Sequence, residues 1–450
     1  MAVSTVTTKL KEDHTQEELE LLASKARNQI RIGLEVLPNR IDSIRNYAFG
    51  NYRWTIDLIM STWYQASNAT YPTNGWNYKT GKSDGGFDLL EFKGLKTEEL
   101  DHIDNVDLTI LLNKRTKGRK ITIDMPVYGG GMSFGSISEN LMLSRAKAAQ
   151  KLNTFTCTGE GGYPDSIVPY KDHVITQVAT GMFGVREETV QYAPIVEFKY
   201  AQGAKPGLGG HLLADKVTAE VARMRGAMSF TSLYSPFPFH SVYSVEDHKK
   251  HVDWIKTINP NALISVKVST PKDVDMVAIG SYYAGANIIH IDGGYGGTGA
   301  APEIAKKNIA MPIEYAIPKV HKYLVSEGIR DEITLIASGG IRSAYDVAKA
   351  IALGADGCVI GSAEAVAVGC TQCGNCEKGR GCQIGITTTD PLLSRIIESD
   401  WGSQRIVNLY TSWKKQWAEI LTYYNIKSIK ELRGRTDLLR YNRSKKMVIT

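Results

Sequence analysis

The residues with the clearest chemical potential are four cysteines in the stretch "CTQCGNCEKGRGC", residues 370–382. The whole chain has only six cysteines in 450 residues, so this loop concentrates them. Cys370, Cys373, Cys376 and Cys382 give the spacing C-x2-C-x2-C-x5-C. A close CxxCxxC run is typical of iron–sulfur loops, whereas structural zinc usually takes two separated CxxC pairs. We predict an iron–sulfur cluster over zinc or a disulfide; four thiolates would hold [4Fe–4S], and three would hold [3Fe–4S].

The elements that must position this loop follow a rhythm that begins near residue 120. Eight short apolar runs end in Gly- or Ser-rich turns and alternate with stretches of helical spacing. The runs are "ITIDMPVYGGGMSFGS", "NTFTCTGEGG", "APIVEFKYAQGAKPG", "AMSFTSLYSP", "ALISVKVSTP", "NIIHIDGGYGG", "ITLIASGGI" and "GCVIGSA". Eight β-then-α units predict an α/β fold, a (β/α)8 barrel, over a doubly wound open sheet.

Four parts of the chain are expected from this pattern. Residues 1–85 form an N-terminal extension, residues 86–365 the barrel, residues 366–395 the iron–sulfur loop and residues 396–450 a helical C-terminal tail. In the extension, Thr15 and Glu18 form a capping box ahead of a helix. The aromatic-rich residues 51–81 are expected to pack against the barrel rather than to bind a ligand. The tail contains an amphipathic helix, "IVNLYTSWKKQWAEILTYYNI".

Charge and hydropathy argue against several classes of partner. The net charge is only +6 and the chain has no long run of Lys and Arg, so neither nucleic acid nor a membrane surface is an expected partner. No apolar run approaches the roughly 18 residues of a spanning helix, and the N-terminus lacks a hydrophobic signal core. We therefore expect a cytoplasmic oligomer whose thiols stay reduced and available to metal.

Two glycine turns after the last predicted strands are typical of phosphate binding. Gly339 and Gly340 in "ASGGIRSAYD", and Gly361 and Ser362 in "VIGSAEA", are each expected to open a helix. Backbone N–H groups at a helix start bind anions, and glycine lets a phosphate come close. Barrels commonly bind phosphate after strands seven and eight, so the sequence predicts a ligand that bears a phosphate.

Flavin mononucleotide (FMN) would account for further residues at the strand ends. Lys267 in "ISVKV" would place a cation beside the flavin N1 and C2 carbonyl. Met132 and Ser133 in "GGGMSFGS" would offer backbone N–H groups to the ring edge. The run "GGYGGTGA" lacks the GxGxxG spacing of a dinucleotide site, so a nicotinamide donor would require another polypeptide.

A flavin barrel with a cysteine loop after its last strand resembles the FMN-binding synthase domain of glutamate synthase. The resemblance covers about residues 85–440. It rests on "GGMSFGSIS", "TGEGG", "EFKYAQGAKPGLGG", "YSVEDH", "GGTGAAP", "SGGIRSAYDVAKAIALGAD", "GITTTDP" and "ELRGRTDLL", in one order. It implies reduction of the imine of 2-oxoglutarate and ammonia to glutamate, by FMN that receives electrons through an iron–sulfur cluster from a ferredoxin or a partner subunit.

The resemblance also implies roles for individual residues. Lys205 and Arg225 would hold the carboxylates of 2-oxoglutarate or a similar 2-oxo acid, as separated cations should. Glu160 would lie near the substrate and handle protons. Gln202 would contact the flavin together with Lys267, and Lys199 lies in the same stretch.

Several positions depart from the family pattern. His211 replaces a glutamine that contacts substrate, Leu208 replaces an acid, and Phe237 and Phe239 change a neighbouring loop. These changes favour, as an alternative, a related synthase that uses methylamine or another amine and forms an N-substituted glutamate. Cys373 is additional to the three cysteines of the family.

We expect no counterpart of the family's other domains in this chain. The chain begins "MAVST", without an N-terminal catalytic cysteine, and its tail leaves no length for a large β-helix. We expect a stand-alone synthase subunit served by a separate glutaminase subunit or by free ammonia. A rival of a different class is an electron-relay flavoprotein subunit without a substrate of its own.

Overall fold

The structure is a computed structural model, and it describes residues 15–36, 50–73, 86–298, 301–377 and 379–442. Parts of several sequence predictions lie outside the described residues. They are residues 1–14, 37–49 and 74–85 of the extension, which include residues 74–81 of the aromatic-rich stretch, two residues of "GGTGAAP", residue 378 of the cysteine loop and the last eight residues of the tail. The division of the chain into four parts therefore stays a prediction.

The described residues contain a barrel sheet and three small two-stranded sheets. The strands are β1 (Leu90–Phe92), β2 (Ile110–Leu111), β3 (Thr122–Ile123), β4 (Val127–Gly129), β5 (Thr156–Cys157), β6 (Val174–Ala179), β7 (Ile195–Lys199), β8 (His211–Leu212), β9 (Leu233–Tyr234), β10 (Leu263–Ser269), β11 (Ile288–Asp292), β12 (Thr334–Ser338), β13 (Gly357–Ile360) and β14 (Leu439–Tyr441).

Eight parallel strands form the barrel in the order β5-β6-β7-β10-β11-β12-β13-β4. The barrel closes between β4 and β5, because the Gly129 N–H donates to the Phe155 carbonyl at 2.8 Å and Gly131 bridges Cys157 in parallel. The strands are buried along nearly their whole length, as parallel strands covered on both faces should be. This confirms the predicted fold class.

Helices fill the connections and cover the barrel. They are α1 (Gln16–Val36), α2 (Ile56–Asn68), α3 (Glu139–Lys151), α4 (Glu187–Gln191), α5 (Ala219–Arg225), α6 (Val245–Ile258), α7 (Val274–Ala284), α8 (Glu303–Asn308), α9 (Ile313–Ser326), α10 (Ala344–Leu353), α11 (Ser362–Ala367) and α12 (Ser399–Tyr423). The Thr15 and Glu18 capping box before α1 forms as predicted, with the Glu18 N–H donating to Thr15 Oγ1 at 3.2 Å.

One predicted barrel strand was wrong and another was missed. The run "AMSFTSLYSP" does not enter the barrel: Met228 and Phe230 are 76% and 69% exposed, and Phe230 has a φ of 56° that breaks an extended chain. The barrel strand in its place is β6, whose central Gln177 interrupts the apolar pattern. Gln177 is satisfied inside the barrel, where its Nε2 donates to Glu197 Oε1 at 2.8 Å.

The two ends of the described chain pack together beside the barrel. Strand β1 pairs antiparallel with β14, and α2 packs on α12, where the Ser412 hydroxyl donates to Gln65 Oε1 at 2.9 Å. Helix α12 buries Trp413 and Trp417 against α10 and α3. The long tail helix predicted from the sequence thus stabilises the outside of the barrel.

In the part of the chain that the structure describes, no helix combines the length and the apolar character needed to cross a membrane.

Candidate active site

A cavity of about 690 Å³ opens where the barrel strands end at their carboxyl termini, the usual place for function in this fold. It is lined by most of the residues singled out from the sequence. Those residues are Met132, Ser133, Glu160, Lys199, Gln202, Lys205, His211, Lys267, Gly339, Gly340, Gly361, Ser362, Cys370, Cys373 and Cys376. Arg225 and Cys382 lie behind this lining.

Glu160 and two lysines form the charged centre of one wall. Glu160 Oε2 lies 3.3 Å from the Lys199 ammonium and accepts a hydrogen bond from the Ser235 hydroxyl at 3.4 Å. Gly210 packs directly on this carboxylate, since a Cβ there would lie 1.7 Å from Glu160 Oε1. Burial raises the pKa of Glu160, but the charges of Lys199 and Arg225 outweigh it and hold the pKa below its ordinary value. Glu160 is therefore an anion beside cations.

Lys205 presents a buried cation to the cavity. Its side chain is only 4% exposed overall, yet it lines the cavity. Burial lowers the pKa of Lys205 to about 8, although the Glu160 carboxylate raises it. The ammonium is thus held in a poorly hydrated place, where its attraction to a carboxylate is stronger than in water.

We expect this pKa to set a pH dependence. Lys205 is protonated below about pH 8 and loses its charge above that value, so kcat/KM for a dicarboxylate substrate should fall about tenfold per pH unit above 8. A pH profile of kcat/KM would show it. A flat profile between pH 7 and 9.5 would contradict the role of Lys205.

Arg225 does not reach the cavity. It ends α5 and is buried, with its Nη2 donating to the Phe134 carbonyl at 2.8 Å and to the Ser133 hydroxyl at 3.1 Å. Burial lowers its pKa to about 10, opposed by the charge of Glu160. Arg225 therefore contacts the turn after β4 and lowers the pKa of Glu160 through its charge, and its predicted contact with a substrate carboxylate stays a prediction.

A buried polar chain crosses the barrel beneath the cavity. Lys267 Nζ lies 3.4 Å from Asp292 Oδ2, and the Ser338 hydroxyl donates to Asp292 Oδ1 at 2.6 Å. His290 links this group onward, with Nε2 2.7 Å from Ser338 Oγ and Nδ1 3.0 Å from Glu197 Oε2. Burial opposes the charge of Lys267, but Asp292 and Glu197 outweigh it and raise the Lys267 pKa. Lys267 is thus a fixed cation, and the sequence pattern missed its partners because they lie on other strands.

A second chain of contacts connects Lys205 to the cysteine loop, residues 370–382. Lys205 Nζ lies 3.1 Å from His211 Nδ1, and His211 Nε2 lies 3.1 Å from Glu377 Oε1. Glu377 directly follows Cys376 in the loop. His211 therefore links Lys205, in the wall of the cavity, to the cysteine loop.

The cysteine loop forms one wall of the same cavity. Cys370, Cys373 and Cys376 line it, and Cys382 is buried behind them. Burial raises the pKa of Cys370 to about 12, and the neighbouring thiols add to this effect. Among the described side chains, no group of three or more His, Cys, Asp or Glu is arranged to hold a metal ion.

Asp215 and Lys216, which sequence reasoning missed, hold this loop in place. The Asp215 carboxylate accepts a hydrogen bond from the Gly379 N–H at 2.7 Å. Lys216 Nζ donates to the carbonyls of Cys376 and Thr387 at 2.5 and 2.9 Å. The buried ammonium thereby places a positive charge beside the thiols.

The glycine turns differ in detail from the sequence prediction. Gly339 and Gly340 have φ values of 91° and 93°, which a residue with a side chain would rarely adopt. They do not open the helix directly, because α10 begins at Ala344 and Ser343 Oγ caps it by accepting from the Asp346 N–H at 3.2 Å. Helix α11 does begin at Ser362, next to Gly361.

The other two cysteines of the chain lie in strands of the barrel. Cys157 in β5 and Cys358 in β13 are 2% and 0% exposed. Neither thiol lines the cavity. Burial raises the pKa of Cys157 to about 12.

Comparison with known proteins gives one consistent picture. Residues 87–427 match the family model described as the conserved region in glutamate synthase. The archaeal glutamate synthase (NADPH) of Methanocaldococcus jannaschii is 42% identical over 352 residues, which are 78% of this chain and 68% of that protein. The archaeal-type glutamate synthase (NADPH) of Thermotoga maritima is 40% identical over 354 residues, 78% of this chain and 69% of that protein.

Among solved structures, the flavin-binding domain of baker's yeast flavocytochrome b2 superposes with a TM-score of 0.52. The match covers 97% of this chain and 95% of that chain at 14% sequence identity. At this identity the likeness shows a shared barrel fold.

Proposed function

Because this chain belongs to the glutamate synthase family, we propose that it is an FMN- and iron–sulfur-dependent oxidoreductase that forms glutamate from 2-oxoglutarate and ammonia. The observation that carries the proposal is one cavity lined both by Lys205 and Glu160 and by three cysteines of the loop. A redox centre and a substrate bound there would share one cavity. Electrons would come from a ferredoxin or another subunit, and ammonia from solution or a separate glutaminase subunit.

The residues present fit FMN. The cavity of about 690 Å³ lies within the roughly 300–1,000 Å³ of small-molecule sites. Gly339 and Gly340 would receive the phosphate beside Ser362, and Lys267 would face the electron-rich side of the ring, with Gln202 and the Met132–Ser133 turn along its edge. The chemistry that FMN supplies when bound is hydride transfer to the imine carbon.

The donor set of the cysteine loop suits an iron–sulfur cluster. In a cuboidal cluster each thiolate binds a different iron, so the sulfurs lie farther apart than the ligands of a single ion. Cys370 and Cys376 match the family spacing, Cys382 lies one residue further along than the family's third cysteine, and Lys216 would offset part of the negative charge of a thiolate-bound cluster. The cluster would supply single electrons to the flavin site.

The protein's own residues would bind and orient the substrate. Lys205 would hold a carboxylate of 2-oxoglutarate, and the neighbouring Lys199 would keep Glu160 ionised beside the reacting carbon. Reduction of the imine consumes one hydride and one proton, and Glu160 would take up a proton from solvent and pass it to the nitrogen. Orientation in the cavity is the main catalytic contribution we expect.

A second candidate, a synthase that uses methylamine, is favoured by Phe237. This residue lines a water-sized cavity of about 10 Å³ together with Glu160 and Lys205, so it lies beside the residues proposed to bind the substrate. An apolar ring there would tolerate a methyl group better than a polar residue would.

An assay with the chemically reduced protein tests the proposal and separates the two amines. We expect 2-oxoglutarate with ammonia to give glutamate faster than methylamine gives N-methylglutamate, as measured by mass spectrometry of the products. A preference for methylamine would transfer the proposal to the second candidate. Absence of both products, with no change of the flavin spectrum on adding 2-oxoglutarate, would instead favour an electron-relay subunit.

A further inference from the structure

The segment that contains β8, residues 210–216, lies between the wall of the cavity and the cysteine loop. In this β8 segment, His211 pairs with Tyr234 of β9 in antiparallel register. The Gly210 carbonyl accepts a hydrogen bond from the Ser235 N–H at 2.8 Å. The β8 segment is therefore fixed to a neighbouring strand, and its side chains contact both the cavity wall and the cysteine loop.

The last two residues of the β8 segment fix the part of the cysteine loop around Glu377. The Asp215 carboxylate accepts a hydrogen bond from the Gly379 N–H at 2.7 Å, and Lys216 Nζ donates to the Cys376 carbonyl at 2.5 Å. Cys376 directly precedes Glu377, and Gly379 follows it two positions later. Backbone groups on both sides of Glu377 are thus held by one short segment.

His211 connects Lys205 to Glu377 through its two ring nitrogens. Nδ1 lies 3.1 Å from Lys205 Nζ, and Nε2 lies 3.1 Å from Glu377 Oε1. A lysine ammonium has donors only, so Nδ1 accepts a hydrogen bond from it. Nε2 then carries the ring hydrogen and donates to the carboxylate. One tautomer of the ring therefore satisfies both contacts.

Glu377 also acts on the charge of Lys205. Burial lowers the pKa of the Lys205 ammonium, and the negative charges of Glu160 and Glu377 oppose that effect. The ammonium has three N–H groups, so one hydrogen bond to His211 fixes its position and leaves others that can face a carboxylate in the cavity. Because both ring nitrogens of His211 are engaged by protein groups, the geometry favours a role other than direct contact with the substrate.

We propose that His211 is a positioning residue, which holds the Lys205 ammonium in place and ties its position to the cysteine loop through Glu377. This inference rests on the proposed function in one respect, that Lys205 binds a carboxylate of 2-oxoglutarate. The loop that would ligate the cluster and the cation that would bind the substrate then form one connected unit. His211 acts on the substrate only through Lys205.

A double-mutant cycle tests the inference by measuring the Kd for 2-oxoglutarate with isothermal titration calorimetry. We expect His211→Phe to raise the Kd by about tenfold, the usual effect of removing a hydrogen bond to a charged group. In Lys205→Met, adding His211→Phe should raise the Kd by less than about twofold, because the lysine that His211 positions is absent. A general loss of folding would instead weaken binding in both backgrounds.

Three further variants separate the two contacts of the ring. His211→Asn keeps an oxygen that can accept from Lys205 and should recover part of the affinity. Glu377→Ala removes the partner on the loop and should raise the Kd by about threefold, less than His211→Phe, because the Glu377 side chain is 46% exposed. His102→Phe is the matched control, since His102 is 77% exposed and lies 3.3 Å from Asp104. It should bind 2-oxoglutarate like the unaltered protein.

The possible results are distinguishable. An unchanged Kd in His211→Phe would overturn the inference and leave the proposed function intact. A tenfold loss in both the unaltered and the Lys205→Met backgrounds would also overturn it, because His211 would then act on the substrate independently of Lys205. An unchanged Kd in Glu377→Ala would overturn the tie to the cysteine loop. An unaltered protein that does not bind 2-oxoglutarate would contradict the proposed function itself.

Discussion

Replacing Lys205 with methionine is expected to lower kcat/KM for 2-oxoglutarate by about 10²–10³-fold, the usual loss when one partner of a buried charge pair is removed. Lys205 is almost fully buried at the cavity wall, so water cannot replace it. The substrate carboxylate would then face the negative charge of Glu160 without its cation. Steady-state kinetics with an artificial electron donor would measure the effect.

Lys250→Met provides the matched control for this substitution. Lys250 is a surface lysine with a side chain that is 76% exposed and 3.1 Å from Asp247, and such pairs contribute little. Its removal should leave kcat/KM within about twofold. If Lys205→Met also kept kcat/KM within about threefold, Lys205 would not hold the substrate.

Removing one cysteine of the loop should have the second large effect. The binding free energy of zinc at structural sites with four ligands is about 10–16 kcal/mol, or about 3 kcal/mol for each ligand. By analogy, we expect Cys376→Ala to lower the affinity for metal by about 10²-fold. We expect the variant to lose iron and to turn over about 10²-fold more slowly with a one-electron donor. A single turnover of the chemically reduced protein should persist, because the flavin site does not require the thiol.

Cys358→Ala is the control, because Cys358 is a core thiol in β13. It should retain iron and donor-driven turnover, with only a modest loss of thermal stability. Equal iron content in Cys376→Ala and Cys358→Ala would show that the loop does not ligate a cluster.

The fold was predictable because the strand ends carry turn residues and the strands carry apolar runs. The exception is β6, which was not predicted because Thr176 and Gln177 interrupt its apolar run. The partner that makes Gln177 acceptable in a buried strand is Glu197, 20 residues away. A sequence pattern shows neither that pairing nor the exposure of Phe230, which made a loop resemble a strand.

Some residues of the candidate site could likewise be predicted from the sequence, and others could not. Lys267 and Gly339 were identifiable because the carboxyl ends of parallel strands meet at one end of a barrel. Lys216 and Glu377 were not, because each lies far along the chain from the groups that it contacts. Their contacts depend on how the loops fold over the barrel mouth.

Metal and flavin analysis of protein purified without oxygen tests the central claim most directly, because that claim places an iron–sulfur cluster and FMN in one cavity. We predict about one FMN per chain, together with iron and acid-labile sulfide in equal or nearly equal amounts. Zinc in place of iron, or a colourless protein without flavin, would contradict it.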